Sequence, residues 1–130
     1  MALGYATTLR NARMDAITSA VGASGLWRMY DGTRPATGGT GTNLLADSTC
    51  SATFAPAASC GVLTANAFAN DTSANLSGTA TWGRIATSGG TAVIDFNIGT
   101  SGSDMNLTTN VIVAGQPVSV SSFVITEGNP

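Results

Sequence analysis

The stretch TATWGRIATSGGTAVIDFNI, residues 79–98, decides how this chain folds. Its second half alternates cleanly: Ala92, Ile94, Phe96 and Ile98 fall on one side, and Val93, Asp95 and Asn97 on the other. A period of two marks a half-buried strand, because successive side chains leave opposite faces of a pleated backbone. The first half carries Ala80, Trp82 and Arg84 on one face and Ile85 on the other, and Ser88-Gly89-Gly90 supplies the turn. Residues 79–87 and 91–98 therefore read as an antiparallel hairpin.

Working outward, the same period recurs on both sides. Residues 26–30 form a strand closed by the Asp31-Gly32 turn signal. Residues 43–54 and 61–68 look like two strands joined through Ala55-Pro56-Ala57-Ala58, and residues 107–113 and 117–126 complete the set around Ala114-Gly115-Gln116. The stretch 33–42, with Arg34-Pro35 and Gly38-Gly39, holds no regular pattern and reads as an exposed loop. About seven short strands, with turn signals every 8–12 residues or so, predict a mainly β protein: an antiparallel β-sandwich, jelly-roll or immunoglobulin-like, with the strand order open. In the last strand Val118, Val120 and Val124 face away from Phe123 and Ile125, so it is apolar on both sides. Such a strand is central in the sandwich or covered by a partner.

One helix precedes the strands, over residues 7–21. Leu9, Ala12, Ala16 and Ala20 recur at steps of three or four, with Ile17 and Val21 widening the stripe. Thr7 or Thr8 can cap its start and Gly22 can end it. Arg10 and Arg13 lie near the edge of the stripe. The helix either packs on its own domain's core or serves as an arm that docks on another subunit. Residues 1–24 are thus set apart as a helix or arm, and residues 25–130 as the β-sandwich domain.

Composition narrows the class. Of 130 residues, 43% are hydrophobic and 9% charged, against about 25% charged in an ordinary soluble domain. All five basic residues are arginine, with no lysine or histidine, and the net charge is −2. That balance gives no electrostatic footprint for nucleic acid. No apolar run approaches a bilayer span. The first residues, MALGY, lack a basic region followed by a long apolar stretch, so a product used without export is expected.

Chemistry is sparse. Without histidine, Ser-His-Asp and Cys-His arrangements cannot be built from this chain. The acids sit mostly in turns, where they hydrogen-bond local amides. Asp95 lies mid-strand on the polar face and reads as solvated. No second carboxylate is nominated as the partner a glycosidase would need. Gly38-Gly39-Thr40-Gly41 lacks a following lysine and reads as a flexible loop, not a phosphate cradle. Asp104 and Asn106 lack the spacing of a calcium loop. Trp27, Tyr30 and Trp82 suit core packing or a subunit contact better than a sugar-stacking platform. Cys50 and Cys60 are a disulfide or two free thiols, and no metal or cofactor is expected.

The opening helix TTLRNARMDAITSAVG, the segment WRMYDGTRPATGG, SATFAPAAS followed by GVLTANAF, and the ending VSVSSFVITEGNP resemble small structural proteins of tailed bacteriophages and prophages. The resemblance implies a non-enzymatic virion protein, assembled in the bacterial host cytoplasm, and carries no functional residues over. A capsid decoration or cement protein is the leading expectation. A tail, neck or collar component, or a carbohydrate- or receptor-binding module of the virion, is the alternative. The expected partners are the major capsid protein or tail and neck proteins, together with further copies of the chain. Low charge and missing lysine suit a surface that neighbours cover, since interfaces are depleted in lysine. The candidate interface residues are Leu9, Arg10, Arg13 and Ile17 on the helix, and Val118, Val120 and Val124 in the last strand.

Overall fold

The computed structural model describes residues 4–126, and the fold is mainly β with one helix. Helix α1 spans Thr7–Val21. The strands that follow are β1 (Leu26–Tyr30), β2 (Leu44–Thr49), β3 (Val62–Thr64), β4 (Gly78–Thr79), β5 (Trp82–Ala86), β6 (Ala92–Gly99), β7 (Met105–Asn106), β8 (Val111–Ile112) and β9 (Val124–Thr126). Five of them form one sheet in the order β2-β1-β5-β6-β7, while β3 pairs β9 and β4 pairs β8 as separate two-stranded ribbons.

The β5–β6 hairpin forms as its alternation predicts, but with a bulge between Ile85 and Ala86. That extra residue sets Ile85 opposite Ile94, Gly83 opposite Phe96 and Arg84 opposite Asp95. The apolar faces of both arms then coincide, which a bulge-free register would not allow. The Phe96 ring lies over Gly83, where an added Cβ would stand 2.7 Å from it. Glycine at this mid-strand position is therefore required by close approach.

The sheet is mixed, because β6 and β7 run parallel, with Ile98 beside Met105 and Gly99 beside Asn106. A parallel pair ordinarily needs a crossover of about a dozen residues or more. Here the loop returns on itself after Gly99: Asp104 accepts from the Asn97 amide, Ser103 and Asn106 bond reciprocally, and the Leu107 amide donates to the Gly99 carbonyl at 2.9 Å. Two further expectations differ from the structure. Residues 43–54 and 61–68 form no strand ladder with one another, although the Asn66 amide donates to the Phe54 carbonyl at 2.8 Å; β2 joins β1, and β3 finds β9 at the far end of the sequence. The stretch 107–113 keeps only β8 as regular strand, bound to β4.

The core lies on the sheet face that carries Trp27, Met29, Ile85 and Phe96. Phe54, Leu63, Phe68 and Phe123 close over it from the ribbon side, with Phe96 and Phe123 ring centroids 4.7 Å apart. Helix α1 contributes Met14, Val21 and half-buried Ile17 to the same cluster. The helix bounds agree with the sequence reading, but its buried face does not. Ala12, Ala16 and Ala20 face outward, and Leu9 is 48% exposed.

Polar partners decide the rotation of the helix. Arg10 donates to the Cys60 carbonyl at 2.8 Å, Asn11 accepts from the Gly61 amide at 2.8 Å, and Asp15 accepts from the Ala58 amide at 2.7 Å. Three directed bonds and the larger side chains Met14 and Val21 outweigh the small area that alanines can bury. Ala6, not Thr7 or Thr8, occupies the N-cap, without a side-chain hydrogen bond; Gly22 ends the helix at φ 71°. Replacing Leu9 with alanine is expected to change stability by less than about 0.5 kcal/mol, as for an exposed position. Met14→Ala should cost about 2 kcal/mol or more. Urea unfolding of both variants checks the assignment of faces.

Candidate functional site

Two regions carry the side chains that could do chemistry or meet a partner. The first lies on the sheet face opposite the core. Tyr30 and Trp82 are cross-strand neighbours there and stack with ring centroids 4.2 Å apart. The Arg84 guanidinium sits 5.3 Å from the Trp82 ring centre. Arg84 grips Asp95 as a fork, Nε to Oδ1 at 2.6 Å and Nη2 to Oδ2 at 2.9 Å. The segment 31–43 folds over this cluster. Arg84 donates to the Gly39 carbonyl at 2.7 Å, the Gly38 amide donates to Asp95, and the Trp82 indole donates to the Asp31 carbonyl at 3.1 Å. Thr42 also bonds the Asp31 carbonyl. The segment is itself exposed, as expected, yet it works as a strap across the sheet.

Asp95 is the main correction to the sequence reading. Its side chain is fully buried in the ion pair instead of solvated. Burial pushes the carboxyl up, but the Arg84 hydrogen bonds, the Gly38 amide and the charges of Arg84 and Arg34 outweigh it and hold the group below the usual carboxylate range. Arg84, hydrogen-bonded to Asp95, is held above its ordinary value against the opposing effect of burial. Both carboxylate oxygens are engaged, so this acid is committed to fastening the strap. Trp27 and Trp82 are also buried, so neither offers an open indole face to a sugar.

The second region is the surface built by the ribbons and the segment before β9. Val111 is 59% exposed and Val113 51%, flanking buried Ile112. They border an open cleft of about 220 Å³ that Thr108, Thr109, Gln116 and Ser119 also line. The sequence reading placed residues 107–113 in a strand without assigning residues 111–113 to a surface; the signal was Val-Ile-Val alternation with only the middle residue inward.

The candidate interface residues scatter. Leu9 is exposed and Ile17 half-buried, while Arg10 is spent on Cys60. Arg13 is exposed and lies over the Tyr5 ring at 5.0 Å. Val118 and Val120 face the chain's own core, which uses them internally instead of offering them to a neighbour. Val124 is 44% exposed, because the alternation breaks between Ser121 and Phe123 and turns it outward.

Cys50 and Cys60 are both free, one buried and one exposed. Burial pushes the Cys50 thiol up to about 12. Cys60 sits with Gly61 at the tip of a tight turn, both at positive φ, between the paired residues Ser59 and Val62. A thiol-disulfide dye at pH 8 is expected to label one cysteine in the native protein and both in denaturant. Two fast native thiols would contradict this placement.

Among the described residues, no group of three or more Cys, Asp or Glu is placed to hold a metal ion, and no helix is long and apolar enough to cross a membrane. Comparison with family models, curated proteins and solved structures finds no match for this chain.

Proposed function

We propose that this chain is a non-enzymatic structural subunit of a tailed-phage virion, acting as a decoration or cement protein on the head. The exposed Val111–Val113 edge of the β4–β8 ribbon, set beside an open cleft, carries the reading. Apolar side chains held out in this way gain free energy when a neighbouring protein removes them from water, roughly 25 cal/mol per Å². The titratable pair that could have served chemistry is instead used to fasten the strap. The body acts as a two-layer, sandwich-like block, with the five-stranded sheet as one layer and the two ribbons with α1 as the other. Its partners are the major capsid protein and further copies of itself, and its work is mechanical: many weak contacts, multiplied by copy number, resist pressure from packaged DNA.

Mass spectrometry of purified particles combined with icosahedral reconstruction tests this. Hundreds of copies on the shell are expected. Small multiples of six or three along the tail axis would transfer the same subunit to the tail or neck, and absence from purified particles would end the proposal.

A further inference from the structure

The segment 31–43 divides into two parts by what holds it. At its neck the Asp31 carboxylate accepts from the Asn43 amide and from the Asn43 side chain, each at 3.2 Å. The Trp82 indole donates to the Asp31 carbonyl at 3.1 Å, and the Thr81 hydroxyl donates to the Gly32 carbonyl at 2.6 Å. Beyond the neck, the hydrogen bonds from residues 33–41 to the rest of the described chain all end on one ion pair. Arg84 donates to the Gly39 carbonyl, the Gly38 amide donates to the Asp95 carboxylate, and Arg34 donates to the Asp95 carbonyl at 3.3 Å.

Beneath this part lie two large rings. Tyr30 is 6% exposed and Trp82 0%, yet neither packs into the core, which is on the other face of the sheet. The segment is what covers them: Gly41 lies so close that an added Cβ would stand 2.6 Å from the Tyr30 ring. No residue of 31–43 is itself buried. Lifting residues 33–41 therefore takes nothing out of the core, and it returns conformational freedom to Gly38, Gly39 and Gly41. Surface loops closed at the neck in this way, with few buried contacts, belong to the low-stability end of a structure.

We propose that residues 33–41 form a lid, hinged at the neck and latched by Arg84 and Asp95, that opens on the intact sheet and uncovers the stacked rings of Tyr30 and Trp82. Closed, this face of the sheet is polar and rich in glycine. Open, it presents two aromatic rings and a guanidinium, side-chain types enriched where proteins meet. The lid thus sets the character of the face, and it does so whether or not the chain belongs to a virion.

Amide hydrogen exchange of the full chain across a urea series tests it. The Gly38 and Gly39 amides should share one opening constant that is nearly independent of urea, because a lid exposes little surface. Amides of β1 and β5 should open at least roughly a hundredfold less often, with a steep urea dependence. Gly41→Ala biases the lid while leaving the latch and the core untouched. The Tyr30 ring, stacked on Trp82 at 4.2 Å, has no room to yield to the new methyl group, and Gly41 is outside the left-handed region, so the contact alone decides. Opening at Gly38 should rise by roughly tenfold or more. Acrylamide should then quench Trp82, with core-buried Trp27 as the protected reference, while far-ultraviolet circular dichroism is retained.

One opening constant and one urea slope shared by Gly38, β1 and β5 would mean that the segment parts from the sheet only on unfolding, and would overturn the proposal. So would unequal constants at Gly38 and Gly39, the mark of independent fraying, or a folded Gly41→Ala protein with exchange and quenching unchanged. Should that variant fail to fold, the wild-type urea series decides alone.

Discussion

Arg84→Ala is expected to destabilise the protein by about 3–5 kcal/mol, because it leaves a buried carboxylate without its counter-charge. Against a total of about 5–15 kcal/mol for a small domain, that is a large fraction of the folding free energy. The strap should loosen as well, since Arg84 also holds the Gly39 carbonyl and Asp95 holds the Gly38 amide. Limited proteolysis within residues 33–42 should therefore accelerate more than global unfolding alone accounts for.

The pH dependence gives a second readout. In the wild type the Asp95 carboxyl is lowered on folding, so its contribution is complete above the unfolded carboxylate range near pH ~4 and lost as pH falls through the lower folded value. In Arg84→Ala burial dominates and the folded carboxyl rises above its unfolded value. The variant then recovers relative stability on acidification. The gap between the two proteins, measured by urea unfolding, should narrow from pH 7 toward pH 3. A gap that stays constant would show that Asp95 is not the group left exposed to the loss.

Trp27→Ala should cost a similar amount, about 3–5 kcal/mol, for a different reason. Trp27 is 1% exposed at the centre of the core face, and its indole donates to the Ala69 carbonyl at 2.9 Å. The substitution removes a large apolar volume and orphans a carbonyl on the 66–71 segment, which bridges from β3 to the β4–β8 ribbon. Trp27→Phe keeps much of the volume and loses the hydrogen bond, so it should cost about 1–3 kcal/mol. Guanidinium unfolding of the pair separates packing from hydrogen bonding. Equal losses in both variants would place most of the energy in the Ala69 bond.

Local signals were readable and distant ones were not. The hairpin turn at 88–90, the alternation of 94–98 and the end of the helix at Gly22 are each set by a few adjacent residues, and the structure reproduces them, whereas the bulge breaks the expected alternation at Ala92 and Val93 and lets Val93 pack against the core. The pairing of β3 with β9 and of β4 with β8 depends on surfaces that meet only in the folded chain. Arg84 and Asp95 illustrate the boundary. Each could be placed on a face, but only the bulge between Ile85 and Ala86 brings them opposite, and no residue near it announces an extra position. On α1 the alanines at 12, 16 and 20 suggested a buried stripe, whereas Arg10, Asn11 and Asp15 found carbonyl and amide partners near residue 60 that sequence spacing does not reveal. The surface valines at 111 and 113 were legible as apolar and illegible as exposed, for the same reason.

The clasp between α1 and the Ala58–Gly61 turn has a temporal consequence. During synthesis the helix leaves the ribosome before its partners, because the groups that Arg10 and Asn11 hold lie 50 residues further along. A segment of this length is marginal as an isolated helix in water. The helix must therefore wait, unsecured, until the turn has been translated, so its locking follows the emergence of residues 58–61 and cannot precede it.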